Sequence, residues 1–357
     1  MNKSILLHDY FSKKDGGGKL AIILAQQLKL DIGFAYWLNS SYDKNLLNSQ
    51  LFDLKGYTSI PGWLTLKQMK AFRYNTAFIK NYNTVIYSGI DAPLAVHNHL
   101  NGKNIYYCHT PPRFIYDKKA FYLSQAPAWL RFAHQLRIAY MKKHYESAVN
   151  HMDVIVANSQ HISQRIKKYL GKSSTVIYPP CDTQLFQWQG QEDFYLSTAR
   201  LDSLKRVDLI VKAFLKMPDK KLIVTSGGSE FKTLKRLAGN ATNIKFTGWL
   251  NESKLRELLG KCIATIYVPM DEDFGMSPVE SMAAGKPVIG VAEGGLKETI
   301  VDDETGFLLS ANNFNDTVII NAVNKLTPKL ALDMKISCET RASLFTQEIF
   351  LENILLV

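Results

Sequence analysis

The chain of 357 residues has no apolar run approaching the roughly 18 to 20 residues that span a bilayer, so it is not read as an integral membrane protein. Its opening, Met1-Asn2-Lys3-Ser4-Ile5-Leu6-Leu7, is too short an apolar stretch for a signal peptide and passes at once into His8-Asp9. Cysteine is scarce. Cys108, Cys181, Cys262 and Cys338 lie far apart in no metal or redox spacing, so they are expected to be reduced core thiols in a cytoplasmic protein. No internal repeat and no low-complexity segment appears. Acidic residues are few in the first half: residues 1–185 carry 23 Lys+Arg against 10 Asp+Glu, net +13, whereas 186–357 carry 20 against 22, net −2. All eight histidines also fall in the first half. That asymmetry indicates an N-terminal half facing an anionic partner.

What the chain does have is 46% hydrophobic residues, enough for two ordinary cores. Apolar runs at Ser4–Leu7, Ile32–Trp37, Thr84–Ser88, Asn104–Cys108, Val154–Ala157 and Thr175–Tyr178 alternate with helical or loop segments. The pattern repeats from Phe194 to Leu309. Such alternation predicts parallel sheets with helices on their faces. The prolines of Tyr178-Pro179-Pro180-Cys181-Asp182 and the polar stretch Gln184–Asp193 read as a linker.

The stretch with most chemistry is Asp271-Glu272-Asp273-Phe274-Gly275-Met276-Ser277-Pro278-Val279-Glu280, between apolar runs at 262–268 and 287–292. An acidic, glycine-bearing loop here opens a short helix at the carboxyl edge of a sheet, where open α/β folds bind ligands. The backbone N–H groups of Phe274 to Ser277 form an anion site at a helix start, while Glu272 and Glu280 suit sugar or ribose hydroxyls. A nucleotide sugar offers both kinds of group. A solvated loop acid and a helix cap would explain the two glutamates equally in kind. Upstream, Arg200 and Lys205 place positive charge near another helix start, where it is disfavoured unless an anion binds.

Glu272-x-Phe274-Gly275-x-x-x-x-Glu280, followed by Met282-Ala283-Ala284-Gly285-Lys286-Pro287-Val288-Ile289, resembles the paired-glutamate motif of the retaining GT-B glycosyltransferases of family 4. The resemblance implies an α/β fold of two Rossmann-like domains facing each other across a cleft. It implies residues 1–183 as the acceptor-side domain, 184–193 as the hinge, 194–340 as the donor-nucleotide domain and 341–357 as a C-terminal helix crossing back. It assigns Glu272 to the donor sugar, Glu280 to the ribose, Phe274, Gly275, Met276 and Ser277 to sugar and diphosphate through their backbone, and Arg200 and Lys205 to the diphosphate. The turns at Gly227 and at Gly248-Trp249-Leu250 are assigned to the base.

The segment Tyr107-Cys108-His109-Thr110-Pro111-Pro112 is similar to one in family members and implies that His109 touches the donor sugar. It most resembles bacterial mannosyltransferases of surface polysaccharide synthesis, which makes GDP-mannose the first donor guess. Gly16-Gly17-Gly18, expected as a flexible glycine turn before a helix from Lys19, is implied to border donor phosphate through Gly17 and Gly18. Arg113 and Asp117 are implied to shape the acceptor side. The expected chemistry needs no metal and no cofactor beyond the nucleotide sugar substrate, although Asp271-Glu272-Asp273 also spells a metal-binding Asp-x-Asp. A saccharide or lipid-linked saccharide is the expected acceptor. Rival readings are a catalytically inactive nucleotide-sugar-binding or membrane scaffold protein, and a GT-B epimerase.

Two segments, Trp63–Tyr74 and Trp129–Tyr145, interleave basic and aromatic residues at helical spacing. Either they lie at an anionic membrane surface, with the protein peripheral on the inner face of the cytoplasmic membrane, or their aromatic stripes are core. No nucleic-acid motif accompanies the charge.

Overall fold

The computed structural model describes residues 3–60 and 62–357. Two compact units emerge: one runs up to Ile177 and takes in Asn353–Val357, the other is Tyr178–Glu352. In the first, strands β1 (Ser4–His8), β2 (Asp31–Phe34), β3 (Leu51–Asp53), β4 (Thr84–Ser88), β5 (Lys103–Cys108), β6 (Val154–Ala157) and β7 (Thr175–Val176) form one parallel sheet in the order β3-β2-β1-β4-β5-β6-β7. The second holds β8 (Tyr195–Ser197), β9 (Leu222–Thr225), β10 (Ile244–Gly248), β11 (Thr265–Tyr267), β12 (Val288–Val291) and β13 (Gly306–Leu309) in the order β10-β9-β8-β11-β12-β13, again parallel. The strands are continuous apolar runs because helices cover both faces of each sheet. Ile5, Leu6, Leu7 and Val85 in one, and Leu196, Ile266 and Ile289 in the other, are wholly buried.

Each strand order reverses once, between β1 and β4 in the first sheet and between β8 and β11 in the second. At such a switch point the flanking connections leave in opposite directions, and a crevice opens beyond the carboxyl ends of the two strands. His8, Asp9, Ser88 and Asp91 stand at the first; Arg200, Lys205 and Glu272 stand at the second.

Several local expectations need correction. The helix after β1 runs from Gly16 to Gln27, so the glycines are its first turn and not a loop before it. Asp15 causes this: it is the N-cap, and its Oδ1 accepts from the Gly18 N–H at 2.9 Å. The stretch expected as a hinge is packed onto the second unit. Gln189 donates to the Gly260 carbonyl at 2.9 Å, and the buried Lys286 ammonium donates to that of Gly190 at 2.6 Å. Burial lowers the Lys286 pKa to about 8. The boundary falls accordingly at Ile177/Tyr178, ahead of 183/184, because Tyr178, Cys181 and Phe186 pack in the second core. At the C-terminus, Lys335–Ala342 and Gln347–Leu355 are separate helices, and only Asn353–Val357 groups with the first unit. All four cysteines are free and buried.

The two basic, aromatic segments are the helices Leu64–Tyr74 and Arg131–Val149, the latter entered through a turn at Ala128–Leu130. Each buries one stripe: Met69 and Phe72 in the first, Ile138, Met141 and Tyr145 in the second. The Arg131–Val149 helix also leaves a second apolar stripe in solvent, with Trp129 80%, Phe132 70%, Leu136 58% and Tyr140 47% exposed. Trp63 is likewise exposed. A core role therefore explains only half of the aromatic content.

Candidate functional site

The second unit's switch point gathers the charged residues singled out in the sequence. After β8, Arg200 extends into solvent with its Nε donating to Asp202 Oδ2 at 2.9 Å. A turn at Ser203–Lys205 follows, and Lys205 Nζ lies 2.7 Å from Glu272 Oε2 and 3.1 Å from the Tyr267 hydroxyl. Burial pulls the Lys205 ammonium down, but Tyr267 and Glu272 outweigh it and hold its pKa above the ordinary value. The residues given separate tasks by sequence, one for diphosphate and one for sugar, are thus direct partners. Arg206 is turned inward instead, donating to the Val268 and Pro269 carbonyls at 2.7 Å and to Glu293 Oε1 at 3.0 Å. It is a brace.

Glu272 is held through its backbone by the Glu293-Gly294-Gly295 turn. The Gly295 N–H donates to the Glu272 carbonyl at 2.8 Å. Gly294, at φ +57°, comes so near that an added Cβ would fall 2.1 Å from the same oxygen, so only glycine fits. Glu293 Oε2 meanwhile accepts from the N–H of Asp271, which has a positive φ of 54°. The sequence signal for Glu293 is the glutamate-glycine-glycine run directly after β12; Tyr267, inside an apolar strand, has none.

Gly275 at φ +98° starts the Met276–Ala283 helix, and no side chain caps that start. Uncapped leading N–H groups carry the positive end of the helix dipole. Met276, Ser277 and Glu280 are half-buried along this helix. Phe274 is different: its ring is buried among Tyr178 and Phe345, with centroids 5.5 Å from each, so only its backbone faces the loop. The two glycine turns assigned to a base also meet. A Cβ on Gly227 would fall 2.5 Å from Trp249 Nε1, and the Trp249 ring is 71% exposed. Gly248, at φ +69°, and the half-buried Leu250 flank that ring.

In the first unit, β5 delivers His109 to the sheet edge. Its Nε2 lies 2.8 Å from Ser88 Oγ, and that oxygen lies 3.0 Å from His8 Nδ1. Ser88 has one proton, so one facing ring nitrogen donates to it and the other accepts from it, which couples the two tautomers. Burial lowers both histidines from 6.5 to about 4, and at His109 the neighbouring His8 ring lowers it further. Ser88 carries no local sequence signal, because its bond to His8 joins residues 80 positions apart.

A Cβ on Gly17 would stand 3.7 Å from the His109 ring. Gly18 gives its N–H to the Asp15 carboxylate, so that donor is already used within the helix start. Asp117 accepts from Arg113 Nη2 at 3.2 Å and from Arg165 Nη2 at 2.8 Å, a partly buried three-residue ion cluster. Among the described residues no three His, Cys, Asp or Glu side chains gather as a metal site.

Two parallel, Rossmann-like α/β units are the GT-B glycosyltransferase fold expected from the sequence, and solved structures of that class match nearly the whole chain. Sucrose-phosphate synthase of Thermosynechococcus elongatus superposes with a TM-score of 0.80 at 17% identity, covering 99% of this chain and 98% of its own. HepE of Anabaena, solved with UDP and glucose, gives 0.75 at 16% identity and 98% of both chains. In sequence, residues 183–337 match the family model described as glycosyl transferases group 1. An α-1,3/1,6-mannosyltransferase, ALG2 of Dictyostelium discoideum, is 26% identical over 298 residues, 69% of this chain and 67% of that protein. The chain spans about half the length of other curated relatives it matches. The match to that family model falls within the second unit.

Proposed function

We propose that the protein moves a sugar, mannose first among the candidates, from a nucleotide diphosphate sugar to a saccharide or lipid-linked saccharide. The reading includes retention of anomeric configuration, no metal, and a place in cell-surface polysaccharide synthesis. One observation carries it: a lysine, a glutamate and an uncapped helix start converge at the switch point of the sheet that matches group 1 glycosyltransferases. The named mannosyltransferase relative supports the choice of sugar, and GDP-mannose remains the first donor guess.

The Lys205–Glu272 pair gives the reading a mechanism. A diphosphate is a stronger partner for Lys205 than one carboxylate, so its arrival draws Nζ away and frees Glu272 to accept sugar hydroxyls. Binding of the anion thereby arms the sugar-reading residue. As the glycosidic bond breaks toward an oxocarbenium-like state, charge grows on the leaving phosphate, where Arg200, Lys205 and the Met276–Ala283 helix start stabilise it. Glu272 positions the sugar and forms no covalent bond to it; the leaving phosphate takes the acceptor proton. We assign Trp249 to stacking on the base, Glu280 to the ribose, and neutral His109 to a sugar hydroxyl. Attachment to an anionic membrane surface is part of the same proposal. Its support is the exposed Trp129, Phe132, Leu136 and Tyr140 stripe above Lys142 and Lys143.

The test is nucleotide diphosphate release from a panel of donor sugars, with and without a lipid-linked saccharide. Release that depends on acceptor, with sugar found on it, is expected. Equal release in both arms, or none in either for every donor, defeats the reading.

A further inference from the structure

The first unit has a switch-point crevice of its own, a cavity of about 510 Å³ beyond the carboxyl ends of β1 and β4. That volume is ordinary for a small-molecule site. Its floor is Asp9 and Asp91. Asp9 is fully engaged: its carboxylate accepts from the N–H groups of Ile90, Asp91 and Ala92 at 2.6, 2.9 and 2.7 Å. Asp91 is not. It is only 5% exposed, its side chain makes no cap bond to the turn it precedes, and no described residue donates to its carboxyl. A buried polar group facing a cavity without a partner costs free energy unless something in the cavity satisfies it.

The charges around this floor narrow the occupant. Burial raises Asp9 to about 6 against the pull of its three N–H donors, so at neutral pH it is mostly ionised and repels an anionic guest. Burial first, and then that charge, hold the Asp91 carboxyl well above its ordinary range, which favours the protonated form that both donates and accepts. The helix Arg131–Val149 contributes His134 and Arg137 to the same lining, and the Arg137 Nε–H is buried without a partner. A cation is therefore opposed as well. The lining also holds apolar Phe114, Leu123, Ile138 and Met141, together with the buried Gln68, whose Nε2 has no partner.

We infer that this cavity binds the uncharged, hydroxyl-bearing ring of an amphiphilic glycoside, with Asp91 and Arg137 meeting ring hydroxyls and the apolar lining taking the aglycone. A hydroxyl supplies one donor and two acceptor lone pairs, which is what a protonated carboxyl and a guanidinium N–H together require. In a sugar-transferring protein such a ligand is the acceptor. That last identification rests on the transfer reading above; the ligand chemistry of the cavity does not.

The probe is octyl glucoside below its micelle threshold, titrated calorimetrically into the full chain, with octyl phosphate as its anionic counterpart. Saturable binding of the glucoside, at least tenfold tighter than octyl phosphate, is expected. Asp91→Asn keeps a donor and an acceptor and stays within about threefold of the parent. Asp91→Leu and Leu123→Trp, which remove the polar group and fill the cavity, weaken binding at least tenfold while nucleotide binding is unchanged. Leu123→Trp decides the matter if Asp91→Leu does not fold. No binding by the parent chain, equal binding of octyl phosphate, or full binding by both variants overturns the inference. Glucoside binding without sugar transfer from any donor would count against the transfer reading alone. Transfer to a soluble saccharide without glucoside binding would count against the cavity alone.

Discussion

His8 offers a quantitative test of the first unit's sheet edge. The ring is 6% exposed, bonds Ser88 through Nδ1, and has its pKa lowered by burial from 6.5 to about 4. A histidine depressed in the folded state stabilises the fold fully above its unfolded pKa, and that contribution is lost as pH falls toward the folded value. At pH 7.5 both states are neutral and the group adds no pH dependence. By pH 4 the unfolded chain is fully protonated while the folded ring is half so, a cost of about 3 kcal/mol, nearly half of it already reached at pH 5.5. The neighbouring carboxyls act oppositely: Asp9, raised by burial to about 6, takes up a proton on folding and is relieved by acid. Wild-type stability alone therefore mixes the two.

Comparing wild type with His8→Asn removes that ambiguity, because the amide keeps a polar atom near the Nδ1 position and Asp9 is common to both chains. Urea midpoints of the first unit's transition, followed by circular dichroism at pH 7.5, 6.5, 5.5 and 4.5, should show the wild-type advantage shrinking by about 3 kcal/mol toward pH 4. His109, also lowered by burial to about 4, is common to both chains and cancels to first order in the comparison. An advantage that stays constant across the series would refute a buried neutral His8.

Three other outcomes follow from the second unit and the exposed stripe. Glu272→Ala should lower sugar transfer at least about a hundredfold with nucleotide diphosphate affinity nearly intact, whereas Arg200→Ala, removing a solvent-facing charge, should weaken that affinity about tenfold by calorimetry. Trp249→Ala should weaken the nucleotide about tenfold, and the same variant should bind inorganic diphosphate normally, since only stacking on the base is lost. Phe132→Ser with Leu136→Ser should reduce sedimentation with vesicles of anionic phospholipid without changing thermal stability, because both side chains already lie in water; unchanged sedimentation would remove the membrane argument.

The strands, their parallel pairing and the residues at the second switch point were legible because each is announced locally: an apolar run, then a glycine or a charge. Glu272, Gly275 and Lys205 are read this way. What could not be read is whatever depends on long-range closure. The Ser88 hydroxyl reaches His8 and His109 only after three strands align. Asp9 and Asp91 are 82 positions apart and become one cavity floor because β1 and β4 are neighbours. Glycine runs were the most misleading local signal. Gly16-Gly17-Gly18 looked like a flexible turn, but one acidic residue before it, Asp15, converts it into a capped helix start.

The same contrast separates the two helix starts by what they can bind. At Gly16–Gln27 the cap is a carboxylate, so the positive end of the dipole is already neutralised and a second anion meets repulsion. At Met276–Ala283 no side chain caps the start, and the nearby Glu272 is compensated by Lys205 at 2.7 Å. An incoming diphosphate there finds its carboxylate neighbour neutralised and a lysine able to change partners. Displacing Lys205 costs one partly buried ion pair and returns a charge-assisted contact to phosphate, while the freed Glu272 gains sugar hydroxyls. On the transfer reading proposed above, the unliganded pair keeps a partly buried lysine satisfied and makes sugar recognition conditional on the diphosphate. A free sugar, which cannot compensate Lys205, would have to leave that ammonium unpaired, and so should bind this site poorly without its nucleotide.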